Sequence, residues 1–228
     1  RAAHAILARL EHLSFPTVAA INGYCLGGGL ELAMACRYRV CSDDPKAVLG
    51  LPEVLLGIHP GFGGTVRSVR LLGVTTAMDL MLTGKNLRPP KALAAGLVDR
   101  VVPAAGLRAA AREIVLAPPP VRRAPFTQRL LSLGPVRGFI APKIEQQVAR
   151  RARREHYPAP YAVVDLWKRH GANPATAYEA EAQSVARLVC TPTSRNLVRV
   201  FFLQERLKAL GGREASRTGH VHVVGAGV

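Results

Sequence analysis

The sequence has 228 residues, 49% of them hydrophobic, and 31 basic against 15 acidic side chains, for a net charge of +16. That length and apolar content exclude a disordered chain and allow one substantial core with a smaller appendage. No apolar run approaches the roughly 18 residues needed to span a bilayer, and the first apolar segment is interrupted by Arg9, Glu11 and His12, so no signal peptide is expected there.

Residues 2–12 have helical spacing, with Ile6, Leu7, Leu10 and Leu13 on one side, until Phe15-Pro16 breaks the pattern. Thr17–Ile21 reads as a buried strand, Asn22-Gly23 as a turn, and Leu30–Cys36 as a helix opened by Gly27-Gly28-Gly29, apolar almost all round except for Glu31. Arg39–Cys41 and Val48–Gly50 are short strands separated by a turn at Ser42-Asp43-Asp44-Pro45. Three helices are predicted next, over Thr65–Leu72, Thr75–Leu82 and Pro89–Ala95, stopped at Gly73, Gly84 and Gly96. Leu97–Val102 reads as a strand closed by Pro103, so the alternation indicates an α/β class. Pro118-Pro119-Pro120 marks a change to helical, basic sequence, ending in an amphipathic helix over Asn196–Leu210. A polar linker over Arg213–Gly219 and a strand over His220–Val224 follow.

The segment from Pro120 to Arg154 carries nine basic side chains against Glu145 alone. A solvated helical face and a docking surface for a polyphosphate-bearing ligand or an acidic partner both fit it. The four cysteines (Cys25, Cys36, Cys41, Cys190) lack CxxC spacing and read as reduced thiols. His220 and His222 alternate on one strand without further ligands, so no metal site is expected. His59 reads as filling its turn rather than touching a ligand.

Two stretches carry chemistry, Asn22–Glu31 and Leu51–Gly64, each with one glutamate beside a glycine-rich bend in apolar sequence. Glycine lets a ligand approach the backbone, and the first amides of a helix stabilise an oxygen gaining negative charge. A close-packed helix start is the plainer reading of the glycines, and charge–dipole compensation that of Glu31. Burial raises a carboxyl pKa, however, and two carboxyls can share a water and pass its protons.

The segments Ala20-Ile21-Asn22-Gly23, Gly27–Ala33, Leu51–Gly57, Pro60–Thr65 and Gly96–Asp99 resemble the crotonase superfamily, in particular its enoyl-CoA hydratases, from about Pro16 to Pro103. The resemblance implies a crotonase-like spiral of ββα units followed by a helical region. It implies that Gly28 donates an oxyanion-hole N–H, that Glu31 and Glu53 are catalytic, and that Gly27, Gly29, Pro60 and Gly61 bind substrate. The activity implied is hydration of trans-2-enoyl-CoA to 3-hydroxyacyl-CoA; the alternatives are Δ3–Δ2-enoyl-CoA isomerisation on the same scaffold and a basic polyanion-binding module without catalysis. The terminal Val221–Val228 is similar to the first strand of a Rossmann domain, with Gly225 and Gly227 starting its glycine turn. Together these resemble the multifunctional fatty-acid oxidation α-subunit. The lack of a starting methionine and the ending in mid-motif lead us to expect a piece of a longer protein.

The expected organisation is a hydratase core over 1–117 lacking its N-terminal part, a helical region and linker over 118–218, and the start of an NAD-binding domain over 219–228. The family's second oxyanion donor lies upstream of this sequence, so the piece alone is expected to be far less active than its parent. No cofactor is expected in the piece itself, acyl-CoA is the implied substrate, and NAD belongs to the parent. An oligomer, pairing with a thiolase β-subunit and a bacterial cytoplasmic location are implied; nucleic acid is not an expected partner. The Ser42–Pro45 insertion is placed in a surface turn that leaves the site undisturbed.

Overall fold

The computed structural model describes residues 2–210. After α1 (Ala2–Glu11), β1 (Val18–Ile21) enters one small sheet, β2 (Tyr24–Leu26) enters a second, and α2 (Gly28–Ala35) returns the chain. The cycle repeats: β3 (Tyr38–Ser42) joins the first sheet and β4 (Val48–Gly50) the second. A 3-10 turn at Pro52–Leu56 then leads to α3 (Gly64–Leu72) and α4 (Val74–Thr83). β5 (Asn86–Leu87) closes the second sheet, and α5 (Pro89–Ala94) precedes β6 (Arg100–Val102), which closes the first.

The first sheet is parallel in the order β1-β3-β6, with Val18 opposite Tyr38 and Val40 opposite Arg100. In the second, β2 runs parallel to β4 and β5 antiparallel to it. Parallel neighbours cannot be joined by a tight turn; α2 makes the crossover between the first two cycles. Each cycle adds one strand to each sheet and one helical layer, the expected ββα spiral.

α6 (Leu107–Leu116) covers the first sheet, placing Leu107, Ala110 and Ile114 on Tyr38 and Val40. The rest is helical: α7 (Phe126–Leu130), α8 (Gly134–Ala149), α9 (Pro158–His170), α10 (Pro174–Val189) and α11 (Pro192–Leu210). α9 inserts Val163, Val164 and Trp167 into the core formed by Leu30, Leu49, Leu51 and Leu80. Each of these fully buried leucines contributes about 2 kcal/mol by leaving water.

α11 begins against the 3-10 turn. A Cβ added at Gly57 would lie 3.1 Å from Ser194 Cα and 3.1 Å from Leu197 Cδ1. Its amphipathic pattern is present as expected, yet Phe201, Phe202, Leu203 and Leu207 are exposed among the described residues. Tyr24–Leu26, to which the sequence reading assigned no element, is a strand because it pairs with Val48–Gly50. The expected strand at Leu97 starts only at Arg100; Leu97 instead turns its amide to Ala92 O, at 2.8 Å, and buries its side chain. Asp43, Pro45 and Lys46 are exposed, with the Lys46 amide donating to the Asp44 carboxylate at 2.7 Å, while Ser42 is the buried last residue of β3. The helix α6 was not among the predicted elements. The predicted strand at His220–Val224, with Gly225 and Gly227, lies outside the described residues.

Candidate active site

The site is assembled where α2 starts. Gly27 adopts φ +53°, a conformation that favours glycine, and its carbonyl accepts the amides of Leu30 and Glu31 at 2.9 and 3.0 Å. The Gly28 and Gly29 amides therefore open the helix without an intrahelical acceptor, at its positive end. A Cβ on Gly28 would meet the Phe62 ring at 3.3 Å, whereas one on Gly29 would meet open space.

Two carboxyl groups face this helix start. Glu31, on the first turn of α2, is 2% exposed, and its Oε1 accepts the amides of Phe62 and Gly64, each at 2.7 Å. Burial, then the charge of Glu181, raises its pKa to about 7, opposed by the amides of Phe62, Gly64 and Gly61. Glu53 stands on the 3-10 turn with its Oε1 3.3 Å from where a Gly27 Cβ would sit. Neither of its oxygens reaches water or makes a well-formed hydrogen bond. Burial raises its pKa to about 8; its own backbone N–H lowers it somewhat, and the charges of Glu31 and Glu181 add to the rise.

The two environments differ in kind. Glu31 has two short amide bonds that favour the carboxylate, whereas Glu53 has only the weak pull of its own backbone N–H, which leaves the neutral acid favoured. The two environments therefore favour Glu31 as the ionised base and Glu53 as the protonated acid. Because the groups interact, the two pKa values describe the pair.

The loop that holds Glu31 is gripped from both sides. The amides of Phe62 and Gly64 point to Glu31, while those of Gly63 and Thr65 point to Glu181 at 2.6 and 3.1 Å. The Thr65 hydroxyl also donates to Glu181, and His4 Nε2 lies 2.8 Å from its other oxygen. Glu181 is 0% exposed, so these donors replace its lost hydration. Sequence reasoning missed both Glu181 and His4. The available signal was the spacing Ala177, Glu181, Ser184, Leu188, which puts a carboxylate on the buried face of α10.

The remaining predicted site residues are near this loop in different roles. Pro60 is buried, its Cβ 2.7 Å from where a Gly64 Cβ would be. Gly61 abuts α10, where an added Cβ would meet Val185 at 3.0 Å. His59 is fully buried, with Nδ1 2.7 Å from Pro60 O and Nε2 2.8 Å from Ser184 Oγ, so it ties the loop to α10. Gly27, Gly28, Glu31 and Glu53 are brought together; Gly225 and Gly227 lie outside the described residues. Among the described residues no group of three or more His, Cys, Asp or Glu could hold a metal ion, and no helix is long and apolar enough to cross a membrane.

Comparison with known proteins gives the family. The family model described as enoyl-CoA hydratase/isomerase matches residues 2–118. The chain is 44% identical, over 99% of its length, to the fatty acid oxidation complex subunit alpha of Shewanella frigidimarina (strain NCIMB 400), and 44% identical over 93% to that of Shewanella sp. (strain MR-4). It spans only 33% and 31% of those two proteins, about a third of their length. Among solved structures, an enoyl-CoA hydratase from Mycobacterium avium subsp. paratuberculosis K-10 matches with TM-score 0.60 at 20% identity, covering 88% of this chain and 69% of that one. Carnitinyl-CoA hydratase from Mycobacterium avium matches with TM-score 0.53 at 25% identity, covering 83% and 60%. The fold, the paired glutamates at a helix start and the family match over half the sequence lead to one conclusion: the chain belongs to the enoyl-CoA hydratase/isomerase family.

Proposed function

We propose that the chain provides the site for hydration of trans-2-enoyl-CoA to 3-hydroxyacyl-CoA. The observation that carries this is the convergence of two buried carboxyls of unlike environment on the opening of α2. In this reading the thioester oxygen lies at the Gly28 amide and gains negative charge as water adds; one such donor is worth about 3 kcal/mol. Ionised Glu31 takes a proton from the water as its oxygen bonds to Cβ. Protonated Glu53 gives its proton to Cα on the same face, and the proton held by Glu31 then passes to Glu53, restoring both. Gly27 and Gly29 flank the donor, and Pro60 and Gly61 shape the loop beside the acyl group. Isomerisation of the double bond needs one carboxyl to shuttle a proton, so two retained carboxyls favour hydration.

The 44% identity to fatty acid oxidation α-subunits supports a place within a longer oxidation protein. There the resemblance of Val221–Val228 to a Rossmann strand supports a following NAD-dependent 3-hydroxyacyl-CoA dehydrogenase. Oligomerisation, association with a thiolase β-subunit and a bacterial cytoplasmic location complete the proposal.

The test is hydration of crotonyl-CoA by the longer protein, with Glu31→Gln and Glu53→Gln. Each variant is expected to lose at least about a hundredfold in kcat. Wild-type kcat/KM should follow a narrow bell, rising through about pH 7 and falling through about pH 8. Normal turnover in both variants would end this reading.

A further inference from the structure

A second cavity, of about 700 Å³, opens beyond the C-terminal end of α2, between α3, the 121–132 segment and the α8 and α9 helices. Its wall is unusually cationic, with eight guanidinium groups. Arg39 and Arg122 share Asp99, at 3.3 and 3.5 Å, and Arg67 and Arg70 share Glu11, at 3.1 and 3.0 Å. The other four, Arg37, Arg123, Arg129 and Arg137, have no carboxylate partner among the described residues. Arg37 and Arg137 donate only to the carbonyls of Leu13 and Ser132.

Two observations mark the arrangement as incomplete. Arg67 is 3% exposed, yet its Nη2 has no acceptor, and the buried Nε of Arg137 has none either. Buried N–H groups normally have acceptors, and leaving one unmet is costly. His170, also on this wall, has its pKa lowered by burial and then by the charges of Arg169 and Arg137, which reports a positive local field. Several guanidinium groups held close repel one another unless an anion lies among them.

We propose that this cavity binds a small ligand bearing two linked phosphate groups. Planar guanidinium forks match phosphate oxygens two at a time. Arginines line the cavity from separate segments around it, four of them without a carboxylate partner among the described residues, so a single phosphate would leave most of them unmet. The volume suits a ligand of that size. This site is distinct from the one built on Glu31 and Glu53 and stands independently of the proposed activity. Its arginines come from both sides of the chain: Arg37, Arg39, Arg67 and Arg70 precede the basic run, and the rest lie within it.

The test is titration calorimetry of the chain with inorganic pyrophosphate, orthophosphate and ADP at low ionic strength. Pyrophosphate is expected to bind saturably, one per chain, at least about tenfold more tightly than orthophosphate. Equal affinity for ADP assigns the site to the diphosphate itself, and tighter binding of ADP assigns it to a nucleoside diphosphate; both support the proposal. The double variant Arg123→Glu/Arg129→Glu, at two exposed positions of the wall, should weaken pyrophosphate binding at least about tenfold. Arg199→Glu/Arg206→Glu on α11 changes net charge equally away from the cavity and should leave it unchanged. Lack of saturable binding, or equal weakening in both double variants, would overturn the proposal.

Discussion

Glu53→Gln should lower activity while making the fold more tolerant of alkaline pH. The folded carboxyl titrates at about 8 against an ordinary 4.5, because it is buried, with the charges of Glu31 and Glu181 adding to the rise and its own backbone N–H opposing it. Its raised pKa means the folded state holds a proton that the unfolded state releases. The associated stability is complete below pH 4.5 and is lost as pH rises through about 8. At 1.36 kcal/mol per pH unit, raising the pH from 4.5 to 7 costs the wild type on the order of 3 kcal/mol through this group alone. Glutamine has no proton to release. The stability of Glu53→Gln relative to wild type should therefore climb by on the order of 3 kcal/mol across that interval and level off above pH about 8. Urea unfolding of both proteins at pH 5, 6, 7 and 8 measures it directly. A difference in stability that stays constant with pH would refute the placement of Glu53 as a buried neutral acid.

Glu181→Gln keeps the shape of the α10 side chain but removes a charge that adds to the burial-driven rise in the pKa values of Glu31 and, less, Glu53. Both limbs of the pH–rate bell should move to lower pH, and the fold should lose about 1–3 kcal/mol as its donors meet a poorer acceptor; limbs that stay in place would show that Glu181 acts only on stability. Gly64→Ala puts a methyl 2.7 Å from Glu31 Oε1 and 2.7 Å from Pro60 Cβ. Crotonyl-CoA hydration should then fall at least about tenfold in kcat as Glu31 is pushed off its two amides, with circular dichroism little changed. Unaltered kcat would show that this contact does not position the carboxyl.

What could be read from the sequence depended on whether a signal was local. Glu31 and Glu53 were legible because each is a lone carboxylate in an apolar stretch, where burial without a purpose is costly. The helices α3 to α5 were legible because a glycine closes each or follows soon after. β2 was not, since it lies between two glycine-rich bends and its pairing depends on Val48–Gly50. Glu181 sits 118 residues from Gly63, and only the packing of α10 against the loop brings its carboxylate there. The basic run from Pro120 was visible as charge, but the cationic wall also draws four arginines from before it. Only the fold joins the two sets.

The seating of α11 on Gly57 makes that helix a lever. The helix has nineteen residues, and beyond its contacts at Ser194 and Leu197 it extends about 20 Å further. The fulcrum, Gly57, donates its amide back to the carbonyls of Glu53 and Val54 at the end of the same turn. Torque on the far end is therefore delivered to the platform under the Glu53 carboxyl, and stiffening or loosening that end changes how firmly the acid is aimed.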